Sequence, residues 1–155
     1  VALRLLHINA ELSHLGFSSK RMANTGSLYN EFSNTYLAID PTTQGYGLRA
    51  LTSNDTPLSF TFSSIPGNFI KICTIVSGNP YCLDVWGDER YVPHLSDPGN
   101  YLGQQWVTTS SSSGTKFSNN YTGDGYFLDV YSDTNQAFMS NGNSLGQYWS
   151  GYQVC

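Results

Sequence analysis

The hexapeptide Tyr81-Cys82-Leu83-Asp84-Val85-Trp86 returns 45 residues later as Tyr126-Phe127-Leu128-Asp129-Val130-Tyr131. A second pair follows in the same order: Tyr101-Leu102-Gly103-Gln104-Gln105-Trp106 and Ser144-Leu145-Gly146-Gln147-Tyr148-Trp149, offset by 43. Two motifs repeated in one order at nearly one separation mark an internal repeat. A degraded copy lies upstream. There Tyr36-Leu37-Ala38-Ile39-Asp40 stands for the first motif and Leu58-Ser59-Phe60-Thr61-Phe62 for the second, with Phe62 in the tryptophan column. Each copy opens on a similar alternating segment: Ser27-Leu28-Tyr29-Asn30, Asn68-Phe69-Ile70-Lys71-Ile72 and Thr115-Lys116-Phe117-Ser118.

The repeats run over 27–66, 67–113 and 114–155, and the polar run Ser110 to Ser113 reads as a surface linker between the second and third. Each repeat holds about four short alternating segments separated by Gly, Asn, Asp or Pro, the pattern of β-strands and turns. No such unit can bury an apolar face alone. Three of them must share one core, and threefold closure of a barrel achieves this while protecting strand edges. The expected fold class is therefore all-β.

The 155 residues suffice for one domain with its own core. The net charge is -4, and only 12% of the residues are charged, well below the usual share. Such an acidic chain is a poor nucleic-acid binder. No apolar run reaches the length of a transmembrane helix, so membrane insertion is not expected. Aromatics make up 14%, which argues against disorder. Ser, Thr and Asn together number 46. A surface of hydroxyls and amides with few charges is typical of secreted, extracellular proteins.

Residues 1–26 differ from the rest. They hold Arg4, Lys20, Arg21, two of the three histidines and a single acid, Glu11. Leu5, Ile8, Leu12 and Leu15 fall at helical spacing before Gly16. An N-terminal extension with a short amphipathic helix is the plain reading; it either packs on the domain or is foreign to it.

Cys73 and Cys82 flank a segment whose Gly78-Asn79-Pro80 reads as a turn. A strand, a turn and a returning strand would bring the sulfurs together. A disulfide there implies an oxidising compartment, and two buried thiols are the alternative. Cys155 is left over and permits a covalent dimer. Asn54-Asp55-Thr56 and Asn120-Tyr121-Thr122 are glycosylation sequons, making Asn54 and Asn120 acceptor candidates for a glycoprotein.

Three repeats, each with a Leu-Asp-Val motif followed by Gln-x-Trp, resemble the ricin B-type β-trefoil lectins and the related carbohydrate-binding modules of secreted glycosidases. The resemblance covers residues 27–155 and is good in repeats two and three, poor in repeat one. It implies a six-stranded barrel capped by three hairpins, with a shallow sugar site available in each repeat. In that family the tryptophan is core and the glutamine braces the loop. The aspartate accepts hydrogen bonds from adjacent hydroxyls of a galactose-like sugar, a role that carries over to Asp84 and Asp129. The chemistry fits, because an ionised carboxylate only accepts and can take two hydroxyl donors. Turn bracing by the same carboxylates is the competing reading. Repeat one has Ile39 in that column with Asp40 one step on, facing the other way, so its site is expected to be inactive.

There are departures from the family. Gly103 and Gly146 stand where an Asn usually precedes the Gln. Asn100, Asn141 and Asn143 are candidates to supply the amide from a displaced loop. His94 and Phe138 are candidate aromatic platforms. With Gln104 and Gln147, these complete the candidate carbohydrate-binding set. The implied function is a secreted lectin-like protein whose partners are galactose-type or related glycans. The rival is a trefoil that binds protein, such as a protease inhibitor, having lost its sugar.

Nothing in the residues implies a cofactor or a metal. His7, Glu11 and His14 share a helical face without the spacing of zinc proteases. Asp133-Thr134-Asn135 lacks the remaining positions of a calcium loop. No Gly-x-Ser-x-Gly elbow or phosphate loop is present. Asp88-Glu89 reads as a solvated turn. An enzyme is not expected.

Overall fold

A computed structural model describes residues 24–40, 48–55, 57–85 and 91–151. The helix read within residues 5–15, the His7, Glu11 and His14 group, Asp88-Glu89, Thr56 of the first sequon and Cys155 lie outside these residues. Repeat one contributes β1 (Asn24–Gly26), β2 (Tyr29–Asn30), β3 (Thr35–Ile39), β4 (Leu48–Ser53) and β5 (Phe60–Ile65). Repeat two contributes β6 (Phe69–Val76), β7 (Asn79–Asp84), β8 (His94–Ser96) and β9 (Trp106–Ser111). Repeat three contributes β10 (Gly114–Asn119), β11 (Gly123–Val130), β12 (Ala137–Ser140) and β13 (Trp149–Ser150). Among the described residues the sheet starts at Asn24, inside the segment read as an extension. No helix among the described residues is long and apolar enough to cross a membrane.

All pairing among the described residues is antiparallel, and it closes into a ring. β1 pairs with β5, β5 with β6, β6 with β9, β9 with β10, β10 with β13, and β13 with β2. β1 and β2 act as one interrupted strand, so the ring is a six-stranded barrel. The hairpins β3–β4, β7–β8 and β11–β12 cap it. They lean on one another through β4–β8 pairing and a Leu51–Gln136 bridge. This is a β-trefoil.

The sequence alternation becomes three-membered layers of core side chains. Leu28, Ile72 and Phe117 form one layer, and Leu37, Leu83 and Leu128 another; all six are fully buried. Burial of side chains this size is the dominant favourable term in the fold. A tryptophan column completes the core. Trp106 lies opposite Ile70 and Asn119, and Trp149 opposite Thr115 and Asn30. The corresponding strand in repeat one sets Phe60 opposite Gly26. Phe60, rather than Phe62, therefore occupies the tryptophan column. The two phenylalanines are two steps apart on one strand face, and both are buried.

The motif column of repeat one shifts likewise. Tyr36, Cys82 and Phe127 face the equivalent serines Ser53, Ser96 and Ser140. Two steps on, Ala38, Asp84 and Asp129 face Leu51, His94 and Phe138. The aspartate column of repeat one thus holds Ala38, not Ile39, and carries no carboxylate.

Two turns also differ from their sequence reading. Cys73 and Cys82 are directly opposed and disulfide-bonded. The turn between their strands falls on Ser77 and Gly78, both at positive φ (51° and 80°), while Asn79 and Pro80 already belong to β7. Positive φ at both central residues is the hairpin turn whose twist matches the strands. Ser110 to Ser113 is not a linker. Ser110 and Ser111 pair with Thr115 and Gly114, so the run is the tip of the β9–β10 hairpin.

Each junction between repeats is sealed by a polar side chain from the next repeat. Thr74 Oγ1 donates to the Ser59 carbonyl at 2.7 Å, Asn119 Nδ2 to the Gly103 carbonyl at 2.7 Å, and Asn30 Nδ2 to the Gly146 carbonyl at 2.8 Å. Asn119 and Asn30 are buried and also cap their own turns through Oδ1.

Candidate functional site

β7 ends at Asp84, which is 3% exposed. Its Oδ2 accepts from Ser96 Oγ at 2.6 Å and from Gln104 Nε2 at 2.9 Å. Gln104 is fully buried; its Nε2 also donates to the Asp97 carbonyl at 2.9 Å, and its Oε1 accepts the Gly99 N–H at 3.0 Å. The group ties β7, β8 and the loop 97–104 into one polar knot. Asp84 Oδ1 is buried and has no hydrogen-bond partner. Repeat three repeats the scheme. Asp129, also 3% exposed, accepts from Ser140 Oγ at 2.6 Å and Ser144 Oγ at 2.7 Å through Oδ2, and from the Val130 N–H at 2.7 Å through Oδ1. Gln147 is fully buried and donates to Ser140 Oγ at 2.8 Å.

Several sequence-based assignments change accordingly. Gln104 and Gln147 have no exposed surface, so they hold the loop and cannot touch a ligand. Asp129 has both oxygens committed to protein donors. His94 is 3% exposed and presents no ring face to solvent. Phe138 is half-buried, and its ring stacks on Tyr131 with centroids 3.8 Å apart. Asn143 accepts from Lys116 Nζ and from the Tyr148 hydroxyl, while Asn141 is exposed. Both sequon asparagines are exposed, and Asn120 Nδ2 donates to Gln105 Oε1 at 2.7 Å.

The glycines of the second motif now have a cause. A Cβ on Gly103 would collide with the Val85 carbonyl oxygen and with Asp84 Oδ1; one on Gly146 would collide with Asp129 Oδ1. The aspartate packs against the bare Cα where the resembling family carries an Asn. Gly103→Asn is therefore expected not to restore a family-type site but to lower stability by about 1–3 kcal/mol through overpacking. Thermal unfolding of the variant checks this, and an unchanged Tm would contradict it.

The site is a cavity of about 550 Å³ at the junction of repeats two and three. That volume lies in the range of small-molecule sites. Asp84 and Ser96 line it beside Gly103, Asp97 and Asn100 contribute polar groups, and Tyr101, Leu102 and Tyr121 supply apolar surface. Of the sequence-derived candidates in repeat two, Asp84 and Asn100 meet here. Tyr101, 60% exposed, packs against Gly99, where a Cβ would collide with the ring. The loop thus has a glycine where the tyrosine needs room, and the ring stands at the cavity wall. Tyr101 and Tyr121 were not singled out from the sequence. Tyr101 opens the second motif, and Tyr121 lies within a sequon. Only barrel closure brings them to one cavity.

No protein-family model matches the chain, and no curated protein matches it in sequence. Solved structures do match in fold. The designed three-fold symmetric protein ThreeFoil aligns with a TM-score of 0.68 at 15% identity, over 84% of this chain and 99% of that one. A salivary protein of the cysteine and tryptophan-rich family from a Culex mosquito aligns at 0.69 and 14% identity, over 88% of this chain and 98% of that one. A GlcNAcα1-4Gal-releasing endo-β-galactosidase from Clostridium perfringens aligns at 0.68 and 14% identity, over 84% of this chain but 32% of the enzyme. These likenesses establish the β-trefoil fold.

Proposed function

We propose that this chain is a secreted carbohydrate-binding protein that holds galactose-type or related glycans without altering them. The observation that carries the reading is the cavity at the junction of repeats two and three. It sets the amide of Asn100 and the carboxylate of Asp97 beside the rings of Tyr101 and Tyr121. A sugar offers two kinds of surface, hydroxyls that need directional partners and a C–H face that packs on an aromatic ring. The cavity presents both. Asp84 also lines the cavity, with its carboxylate buried against Gly103, so it braces the wall beneath these groups. The Leu-Asp-Val and Gln-x-Trp motifs support the galactose-type preference. The endo-β-galactosidase among the fold neighbours is in keeping with it. The Cys73–Cys82 disulfide supports an oxidising, extracellular setting.

Binding of the labelled protein to a broad glycan array tests this. Tyr101→Ala removes an exposed ring with no core role and is expected to weaken binding by ~2 kcal/mol, roughly thirtyfold. Silence across the array from folded protein would reject the reading. The burial of Asp84 and Asp129 favours the rival, a protein-binding trefoil. Its exposed Leu102 and Leu145, at equivalent places in repeats two and three, would then be contact residues. Inhibition of secreted proteases by an array-silent protein would support it.

A further inference from the structure

A second cavity, of about 270 Å³, adjoins the first. The two share Asn100 and Tyr101, so both are lined by the same loop and the same tyrosine. A ligand packed on that ring has room to extend in both directions, which a single sugar does not need. The two ends differ in charge. The first cavity holds the carboxylates of Asp84 and Asp97. The second has no acidic side chain in its lining and holds the ammonium of Lys71. Lys71 Nζ donates to the Gly99 carbonyl at 2.6 Å, and no acidic side chain among the described residues pairs with it. An ammonium has three donors. One anchors Lys71 to the same loop that presents Tyr101, which leaves two donors for a ligand, and no carboxylate among the described residues offsets the charge.

We infer that the second cavity seats an acidic group, so that the ligand is an acid-bearing glycan: a neutral sugar lies against Tyr101 in the first cavity, and a carboxylate or sulfate on the adjoining residue pairs with Lys71. The inference rests on the carbohydrate reading above and adds the ligand's charge and its direction. Asp84 and Asp97 repel the acid from the opposite end, which fixes the orientation. The pairing is a charge-assisted hydrogen bond at a partly open site, so it weakens as salt rises.

The test is an array carrying galactose-terminated glycans beside their sialylated, sulfated and uronic-acid-bearing counterparts, probed with the wild type, Lys71→Gln and Lys71→Arg. The acid-bearing glycans are expected to bind the wild type about tenfold more tightly than the neutral ones. Lys71→Gln should erase that difference, any loss of the Gly99 anchor weakening neutral and acidic glycans alike, and Lys71→Arg should keep it. Equal binding of neutral and acidic glycans, or an acid preference that survives Lys71→Gln, would overturn the inference and leave sugar binding standing. An array silent for every glycan would overturn both.

Discussion

Truncating Trp106 to alanine is expected to lower the unfolding free energy by about 3–5 kcal/mol. The side chain is fully buried, and it closes a layer with Phe60 and Trp149. Its Nε1 donates to the Leu83 carbonyl at 2.9 Å, as Trp149 Nε1 does to Leu128 at 3.0 Å. Alanine would remove most of the ring volume and leave the Leu83 carbonyl without that donor, so cavity and orphaned acceptor add together. A domain of this size is stable by only about 5–15 kcal/mol, so the variant would be marginal. Trp106→Phe should lose less, because Phe60 already fills the equivalent column of repeat one. Urea unfolding reads the effect as a lower midpoint at unchanged slope. A loss under about 1 kcal/mol would mean that the tryptophan layer does not hold the barrel as described.

Asp84→Ala should cost about 2–4 kcal/mol, as two hydrogen bonds to a buried carboxylate disappear. Ser96 Oγ and Gln104 Nε2 both lose their shared acceptor, although Gln104 keeps the Asp97 carbonyl. The damage falls on the loop that carries Asn100 and Tyr101. Hydrogen exchange at the Gly99 amide, which donates to Gln104 Oε1, is the local readout. Faster exchange there is expected, and unchanged protection together with unchanged stability would show that the carboxylate does not brace the loop. Loss of glycan binding in this variant would report loop collapse as readily as a lost contact, so Tyr101→Ala is the cleaner functional probe.

The fold was legible in the sequence because a repeat needs only its own letters. The offsets of 45 and 43, the alternation within each copy and the opposed cysteines all depend on residues near one another in the chain. Repeat one was harder. Four residues separate its paired Asn30 and Thr35, whereas six separate the equivalent pair Thr74 and Tyr81 of repeat two. Matching Tyr36 to Tyr81 by letter therefore misplaced the register by one, and Ile39 was read where Ala38 stands. Phe60 and Phe62 could not be told apart because both point inward from one strand face. The site was legible only in part. Asp84 and Asn100 lie in repeat two and were found there. Tyr121 enters from repeat three, and Lys71 reaches the loop from β6 of the same repeat, so both depend on tertiary packing. The burial of His94, Gln104 and Gln147 is likewise a tertiary outcome that residue type does not reveal.

The three junction bonds, Thr74 to Ser59, Asn119 to Gly103 and Asn30 to Gly146, run head to tail and return to their start. A linear array of repeats has two ends, and its outermost unit can fray while its neighbours stay folded. A cycle has no outermost unit. Opening any one repeat breaks the clasp it offers to its predecessor and the one it receives from its successor, so no segment here can peel away at the expense of a single interface. The cavity lies at one of these clasps: its two tyrosine walls belong to different repeats, and the bond from Asn119 to Gly103 ties those repeats together beside it.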